Sequence, residues 1–380
     1  MVKKIQKKLK LKKLFFILFF IIFNNYYFKK YIISEKILLK GRKYLNKCLR
    51  DKLNRKTYKK FVNPRVSVII PVYNCQSSIK QVISSIQNQK MIDIEIILVN
   101  DKSKDDSLKI IENIQKYDKR IKIINNQKNM GTLYSRSIGV LQSKGNYIFP
   151  LDNDDMFFDD DVFNFIYQEA YNFNYDIVGF KTIQANSYKA RINEMKNGCH
   201  MHKENFTIYQ PNLSLFGISK NNRFRIREVH IWSKCIKNSI YKKAVNSLGR
   251  KRYSFFMSWS EDTSMVFVLF NVAESYRYII KYGIFRFNRK GSASASMPKS
   301  SKLFGEIFFL DVIFDFTKND FKSKKYAVYR AIYIRNCRFF KSLNKINIDY
   351  LKSTLKKLLI CPYISNNDKT KIKINFKQII

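Results

Sequence analysis

Between residues 66 and 180 the sequence alternates short apolar runs with amphipathic stretches, and this alternation constrains the fold more than any other feature. The runs have strand length and are rich in β-branched residues; they cover 66–71, 94–99, 121–124, 147–151 and 176–180. Between the first two runs, apolar residues recur with helical spacing at Ile79, Val82, Ile83 and Ile86. Strands that alternate with helices in this way predict an α/β fold with a doubly wound, mainly parallel sheet flanked by helices.

Polar residues follow three of these runs at the point where each predicted strand ends. Residues 71–74 read Pro-Val-Tyr-Asn, residues 100–101 read Asn-Asp, and residues 152–155 read Asp-Asn-Asp-Asp. In an open parallel sheet, ligands bind in the crevice beyond the carboxyl ends of the strands. Because the three polar strand ends would meet at this edge, the sequence predicts a nucleotide site there.

The last of these strand ends holds Asp152, Asp154 and Asp155 within four residues. Such like charges repel one another unless a cation lies among them, and hard oxygen ligands suit Mg²⁺ or Mn²⁺. An ion held in this way can bind the phosphates of a nucleotide. Taken alone, however, such a run is more often an acidic turn that caps the following helix, so the metal hypothesis depends on the surrounding motifs.

Over residues 66–180 the order and spacing of the motifs resemble the family 2 glycosyltransferases, which have the GT-A fold. The motifs are Val66 to Asn74, Leu98 to Ser103, Asn129 to Gly131 with Arg136 and Gly139, and the cluster at Asp152. The resemblance implies nucleotide contacts along Pro71, Val72, Tyr73 and Asn74, at Asp101, and at Asp152 and Asp154. It also implies metal ligation by Asp154 and Asp155.

One position departs from the family pattern, because Asn100 stands where an aspartate is usual. The neighbouring Asp101, which the resemblance assigns to hydrogen bonding of the nucleotide base, is intact. The alternative for Asp101 is that its carboxylate caps the N-terminus of a helix, and the two roles are compatible.

Glu261 and Asp262 stand directly before an apolar run that reads as a helix. An inverting transfer needs one carboxylate to take the proton of the acceptor hydroxyl, since a metal stabilises the departing phosphate oxygens. The resemblance assigns this base to Asp262, with Glu261 as the second choice. The alternative is a pair of acids favoured by the helix dipole.

Further downstream, the basic residues Arg286 and Arg289 lie where relatives have a loop that closes over the donor, which implies a phosphate contact. Trp232 fits a buried core residue better than a sugar-stacking one. The chain has no Gln-x-x-Arg-Trp motif after the acidic pair, which favours a single addition over processive synthesis.

The resemblance thus implies an inverting, metal-dependent, non-processive hexosyl- or N-acetylhexosaminyl-transferase, with Mn²⁺ or Mg²⁺ as cofactor. The expected donor is a nucleotide-sugar, with UDP-sugars favoured, and the expected acceptor is a hydroxyl of a glycan, lipid or protein. Three alternatives stay open: a nucleotidyltransferase, a catalytically inactive relative, and a basic nucleic-acid- or anion-binding protein suggested by the net charge of +43. No nucleic-acid partner is expected, because the basic residues form no recognised reader motif.

The N-terminal region is strongly basic, with 21 Lys and Arg against two acids in residues 1–65. Seven lysines precede an apolar stretch at residues 14–28, which predicts a signal-anchor that places the remainder of the chain in the lumen of the endoplasmic reticulum or Golgi, as a single-pass type II membrane protein. A cleaved signal peptide and a buried or peripheral helix are the alternatives, since the stretch is short for a bilayer.

The expected domain organisation has four parts. They are a tail with the anchor at 1–30, a basic stem at 31–65, a GT-A domain at 66–298 with nucleotide-sugar (66–180) and acceptor (181–298) halves, and a basic helical extension at 299–380. The six cysteines are widely spaced with no Cys-x-x-Cys pair, which disfavours structural zinc. Free buried thiols and disulfides both remain open.

Overall fold

The computed structural model describes residues 35–50, 58–185, 196–197, 204–211, 216–218, 224–226, 230–257, 260–287, 299–316, 345–361 and 364–377. The helices within these ranges are α1 (Glu35–Arg50), α2 (Ile79–Gln87), α3 (Ser107–Gln115), α4 (Thr132–Leu141), α5 (Val162–Asn172), α6 (Asn238–Leu248), α7 (Arg250–Tyr253), α8 (Glu261–Val272), α9 (Lys299–Phe316), α10 (Lys345–Ile360) and α11 (Asn366–Asn375). The strands are β1 (Val66–Val72), β2 (Ile94–Asn100), β3 (Ile121–Asn125), β4 (Tyr147–Pro150), β5 (Met156–Phe157), β6 (Ile177–Ala185), β7 (Lys196–Asn197), β8 (Phe206–Tyr209), β9 (Phe216–Ile218), β10 (Phe224–Ile226), β11 (Lys234–Lys237) and β12 (Ser275–Phe287).

The main sheet has the strand order β3-β2-β1-β4-β11-β6-β12-β5, with β7 and β8 attached to β6 and β12. Strand β1 pairs in parallel with β2 and β4, and β2 pairs in parallel with β3. Strand β11 lies antiparallel between β4 and β6, so that β6 runs in the same direction as β4, and β12 is parallel to β6. The carboxyl ends of β1, β2, β4, β6 and β12 therefore lie at one edge of the sheet.

Two apolar cores cover the two faces of this sheet, because successive side chains of a strand point to opposite sides. In β1, Ile69 packs into one core, whereas Val68 and Ile70 pack into the other. The first core is completed by α4, α6, α8 and the C-terminal helices, and the second by α1, α2, α3 and α5. The predicted α/β fold with a mainly parallel sheet flanked by helices is therefore confirmed.

The antiparallel strand β11 is a feature that the sequence reading missed. Its four residues carry a lysine at each end, so the run has neither the length nor the apolar character that identified the other strands. The strand predicted near Asp176, which is β6, does continue the sheet, but β11 lies between it and β4.

Helix α1 lies within the segment predicted as a basic stem, and it packs against the α/β domain. Leu38, Tyr44, Leu45 and Cys48 are buried on its inner face. The Tyr44 hydroxyl donates a hydrogen bond of 2.7 Å to the main-chain oxygen of Ser85, at the end of α2. Its apolar residues are interrupted by lysines and arginine, which hid the helical periodicity in the sequence.

The apolar stretch at residues 14–28 lies outside the described residues, so the signal-anchor stays a prediction. Within the part of the chain that the structure describes, no helix is both long enough and apolar enough to cross a bilayer. Four of the cysteines fall in the described ranges, namely Cys48, Cys75, Cys235 and Cys361, and all four are buried thiols.

If α1 belongs to the folded domain, truncation of its inner face destabilises the whole domain. Leu45 is 0% exposed, and we expect Leu45→Ala to lower the free energy of unfolding by about 2–5 kcal/mol, because it leaves a cavity between α1 and α2. Chemical denaturation followed by circular dichroism measures this change.

The matched control is Leu39→Ala on the outer face of the same helix, where the side chain is 50% exposed. We expect a change within about 0.5 kcal/mol for this variant. Equal effects of the two substitutions would contradict the docking of α1 on the domain.

Candidate active site

The loops that follow β1 and β2 are joined to each other at the carboxyl edge of the sheet. The main-chain N–H of Asp101 donates to the carbonyl of Val72 at 2.8 Å. The Asn74 side-chain oxygen accepts the main-chain N–H of Lys104 at 2.8 Å. Asn74 and Lys102 both have left-handed backbone conformations, with φ of 47° and 60°. Such conformations are kept where contacts with the surrounding structure hold the backbone in place, as at many functional sites.

Asp101 is buried at this edge and organises the loop that leads into α4. Its Oδ1 accepts hydrogen bonds of 2.8 Å from Asn126 Nδ2 and from the main-chain N–H of Met130. Its Oδ2 accepts the main-chain N–H of Gly131 at 2.7 Å. The carboxylate therefore fixes the backbone of residues 130–131, directly before α4. Its assignment to the nucleotide base stays a prediction.

Asn100 replaces the usual aspartate without loss of loop order. Its Oδ1 accepts the main-chain N–H of Ser103 at 3.1 Å, a bond that an aspartate would also make. Its Nδ2 donates to Asn125 Oδ1 at 3.0 Å, which ties the end of β2 to the end of β3. An aspartate lacks this donor.

The four residues predicted along the nucleotide base differ in their exposure. Pro71 and Val72 belong to β1 and are buried, so their side chains face the interior of the sheet. Tyr73 and Asn74 are exposed. Any side-chain contact of this loop with a ligand therefore falls to Tyr73 and Asn74.

The acidic cluster follows β4 and turns back on itself. The main-chain N–H of Asp155 donates to the carbonyl of Asp152 at 3.3 Å, which closes the turn. The side chain of Asp155 is 2% exposed, and its Oδ1 accepts the main-chain N–H of Phe287 in β12. Burial first, and then the nearby Asp154 and Asp152, raise the pKa of the Asp155 carboxyl well above its ordinary value.

Arg136 joins the acidic cluster to the acidic pair at the start of α8. Its Nη2 donates to Asp152 Oδ1 at 2.9 Å, and its Nη1 donates to Asp262 Oδ1 at 2.7 Å. Burial opposes the charge of the guanidinium, but Asp262 and Asp152 outweigh burial and raise the pKa of Arg136. The motif alone assigns Arg136 no role, but its position on the buried face of α4 is the signal for a buried ion pair.

The two acids of α8 have different surroundings. Asp262 receives the Arg136 hydrogen bond and is 19% exposed. For Glu261, burial and then the charge of Asp262 raise the pKa to about 8. At neutral pH the protonated form of Glu261 is therefore favoured. The residue before the pair, Ser260, has a left-handed conformation with φ of 59° and begins the helix.

Arg286 lies near the end of β12, close to the acidic cluster. Its guanidinium is 5.3 Å from the ring centre of Trp232, whose other stacking partner is the ring of His230 at 4.6 Å. Burial raises the pKa of both Asp152 and Asp155, and the charge of Arg286 offsets part of that rise. Trp232 is buried, as expected. Arg289 lies outside the described residues.

The donor groups at this edge fit a divalent ion that is shared with a ligand. Carboxylate oxygens are the ligands that Mg²⁺ and Mn²⁺ prefer. The negative charge of Asp154 repels that of the buried Asp155, and a cation between them would reduce this repulsion. Among the described residues, no group of three or more His, Cys, Asp or Glu side chains could hold a metal ion. The arrangement therefore suits an ion held by one or two carboxylates together with phosphate oxygens.

A glycine substitution tests the close packing of the loop that Asp101 holds. Gly131 has φ of 85°, and a Cβ at this position would lie 2.8 Å from the main-chain oxygen of Met257. We expect Gly131→Ala to destabilise the protein by more than the about 1–3 kcal/mol of backbone strain alone. Denaturation curves measure the difference.

The control is Gly249→Ala, because Gly249 has a similar φ of 83° and, among the described residues, no atom lies within 4 Å of an added Cβ. This variant isolates the cost of the backbone conformation. Equal losses for the two variants would show that Met257 does not hold the loop.

Comparison with known proteins identifies the family of this sheet and its edge. The family model described as glycosyl transferase family 2 matches residues 67–245. An uncharacterized glycosyltransferase of Haemophilus influenzae is 36% identical over 33% of this chain and 52% of its own length. A GalNAc(5)-diNAcBac-PP-undecaprenol beta-1,3-glucosyltransferase of Campylobacter jejuni is 41% identical over 24% of this chain and 30% of its own length.

A cholesterol galactosyltransferase of Borreliella burgdorferi is 30% identical over 61% of this chain and 63% of its own length. The chain thus spans about half or less of the first curated relatives it matches, and somewhat more of this one. Among solved structures, S. aureus TarS in complex with UDP-GlcNAc has the same fold, with a TM-score of 0.57, 15% identity, and coverage of 83% of this chain and 90% of that chain. The matched region, residues 67–245, carries the ends of β1, β2 and β4 together with Arg136, and this region belongs to glycosyltransferase family 2.

Proposed function

We propose that this protein is an inverting glycosyltransferase that moves one sugar from a UDP-sugar to a hydroxyl acceptor with the help of a divalent metal ion. The observation that carries the proposal is the bridge through Arg136. One guanidinium contacts Asp152 on the nucleotide side of the crevice and Asp262 on the other side. The two carboxylates therefore face one crevice, where an acceptor hydroxyl between them can be deprotonated as the donor bond breaks.

Asp262 acts as the general base in this proposal. A base must be ionised at the working pH, and the burial and like charge that raise the pKa of Glu261 to about 8 keep that residue neutral near pH 7. Asp262 instead receives a charge-assisted hydrogen bond from Arg136. Its second oxygen is available for the acceptor proton, since the bond to Arg136 uses Oδ1.

The nucleotide lies at the ends of β1 and β2 in this proposal. Tyr73 is the large exposed side chain of the first loop, suited to stack on a base, and Asp101 Oδ2 has one acceptor position beyond its bond to Gly131. The structural likeness to TarS, which was solved with UDP-GlcNAc, supports uracil as the base. Arg286, which lies beside the acidic cluster, is placed to contact a phosphate.

Asp154, with Asp155 behind it, would hold Mn²⁺ or Mg²⁺ against the donor diphosphate. The ion would stabilise the charge on the departing phosphate oxygens. Asp155 contributes through its bond to Phe287, which fixes the turn on β12. Asp152 is tied to Arg136 and is placed to contact the ribose.

A lipid-linked hydroxyl is the acceptor class that we propose. Two relatives are named for transfer to an undecaprenol-linked glycan and to cholesterol, and both acceptors belong in a membrane. The predicted anchor at residues 14–28 would hold the crevice near such an acceptor. The type II orientation and the lumenal compartment remain part of the proposal.

Hydrolysis of nucleotide-sugars by the full chain, without an acceptor, tests the donor and the metal. We expect slow release of UDP from one or two UDP-sugars of a panel, abolished by EDTA and restored by Mn²⁺ or Mg²⁺. Asp154→Ala should lower the rate by about 100-fold or more, in the range found when a group that stabilises leaving-group charge is removed. Release that is insensitive to EDTA would contradict the metal site, and no binding of any nucleotide would favour an inactive relative.

Two isosteric substitutions separate the base from its neighbour. We expect Asp262→Asn to lower the rate of transfer to an added acceptor by about 10²–10⁴-fold, the usual contribution of a general base. Glu261→Gln should keep the rate within about threefold at pH 7, because a neutral amide replaces a carboxyl that is already neutral. The reverse order of effects would assign the base to Glu261.

A further inference from the structure

The residues from α7 to the start of α8 form what we call the base-bearing segment, residues 250–262. The segment begins at Arg250 and ends at Asp262, and residues 258–259 lie outside the described ranges. Near its middle, the backbone of Met257 packs on Gly131 in the loop that Asp101 holds. The segment therefore connects the nucleotide loop with the proposed base. Its position determines the distance between that loop and Asp262.

Helix α9 holds the first part of this segment through a buried acid. Asp311 is 3% exposed, and its Oδ2 accepts hydrogen bonds from Arg252 Nε at 3.1 Å and Nη2 at 3.0 Å. The same carboxylate accepts 2.7 Å bonds from the Tyr350 hydroxyl and from Lys357 Nζ, both in α10. Burial opposes ionisation of Asp311, but the bonds from Lys357 and Tyr350 outweigh it and lower its pKa.

Apolar contacts reinforce this attachment. The ring of Phe255 packs against Phe304 and Phe308 of α9 and against Tyr350 of α10, with ring centres 6.0, 6.4 and 5.4 Å apart. In α8, Phe267 packs edge-on against Phe309 at 5.9 Å. The C-terminal helices thus form one core with the segment and with the helix that carries the base.

A second polar contact reaches the residue directly before the acidic pair. The Ser260 hydroxyl donates to Glu306 Oε1 in α9 at 3.2 Å. The carbonyl of Ser260 accepts the main-chain N–H and the hydroxyl of Ser264 at 2.9 and 2.8 Å. Because Ser260 has a strained left-handed backbone, a contact that holds its side chain also fixes the direction in which α8 begins.

We propose that the helices Lys299–Phe316 and Lys345–Ile360 are a positioning part of the active site. Asp311 acts through Arg252, and Glu306 acts through Ser260, to hold the base-bearing segment so that Asp262 meets Arg136 and the crevice. This inference rests on the proposed function for the role of Asp262. It gives the C-terminal extension, whose role could not be read from the sequence, an indirect role in the transfer step.

Hydrogen exchange and kinetics on the full chain test the proposal. We expect Glu306→Ala to accelerate amide exchange by about tenfold at residues 260–264, and Asp311→Asn to do so at residues 250–257, with exchange in β1 and β2 unchanged. Glu306→Ala should also lower kcat by about tenfold while the Kd for UDP stays within about twofold, since the nucleotide loops lie on other elements.

Two matched controls keep the test specific. Glu306→Gln retains an acceptor oxygen for the Ser260 hydroxyl and should restore both exchange and kcat. Asp349→Asn removes an exposed acid from α10, next to Tyr350, and should change neither.

Three results would overturn the proposal. They are unchanged exchange in the segment, a uniform rise in exchange over the whole chain, and local loosening with unchanged kcat. A wild-type protein that cleaves no donor is instead a failure of the proposed function. The exchange experiment alone then decides whether the C-terminal helices hold the segment.

Discussion

The buried guanidinium of Arg136 is the interaction on which the site depends. Its side chain is 3% exposed and contacts two carboxylates, which lie 16 and 126 positions further along the chain. A buried charge is tolerated only when it is paired and hydrogen-bonded, and here both partners face the same crevice. Arg136 reaches both carboxylates only because α4, the end of β4 and the start of α8 lie within hydrogen-bonding distance of one another. The packing of these three elements therefore determines the geometry of the site.

The directions of the strands in the sheet bring these parts of the site together. Because β1, β2, β4, β6 and β12 run the same way, their carboxyl ends converge on one edge, and Asp101, the acidic cluster and Arg286 are brought together from separate motifs. The antiparallel β11 widens the sheet between β4 and β6 without reversing either of them. It also leads into α6 and then into the base-bearing segment, so that the proposed base lies at the same edge.

Much of this could be predicted from the sequence, because the deciding signals are local. The β-branched runs identified β1 to β4 within a residue or two, and the clustered acids marked the ligand edge. The roles of particular acids could not be predicted in the same way. Asp101 binds Asn126, Met130 and Gly131 because of long-range packing, and nothing in residues 100–107 shows those partners. The docking of α1 could not be predicted for the same reason, since its lysines conceal an apolar face that only tertiary contacts reveal.

The same reasoning explains why two adjacent acids in α8 differ. Arg136 donates a hydrogen bond to Asp262, whereas on Glu261 its charge acts more weakly than burial and the charge of Asp262. Burial and the charge of Asp262 therefore leave Glu261 protonated near neutral pH. The choice of base is then set by the position of a guanidinium rather than by the sequence of the acidic pair. In that case the orientation of α8 relative to Arg136 affects the chemistry. This orientation is held by Ser260, Glu306 and Asp311, none of which touches a substrate.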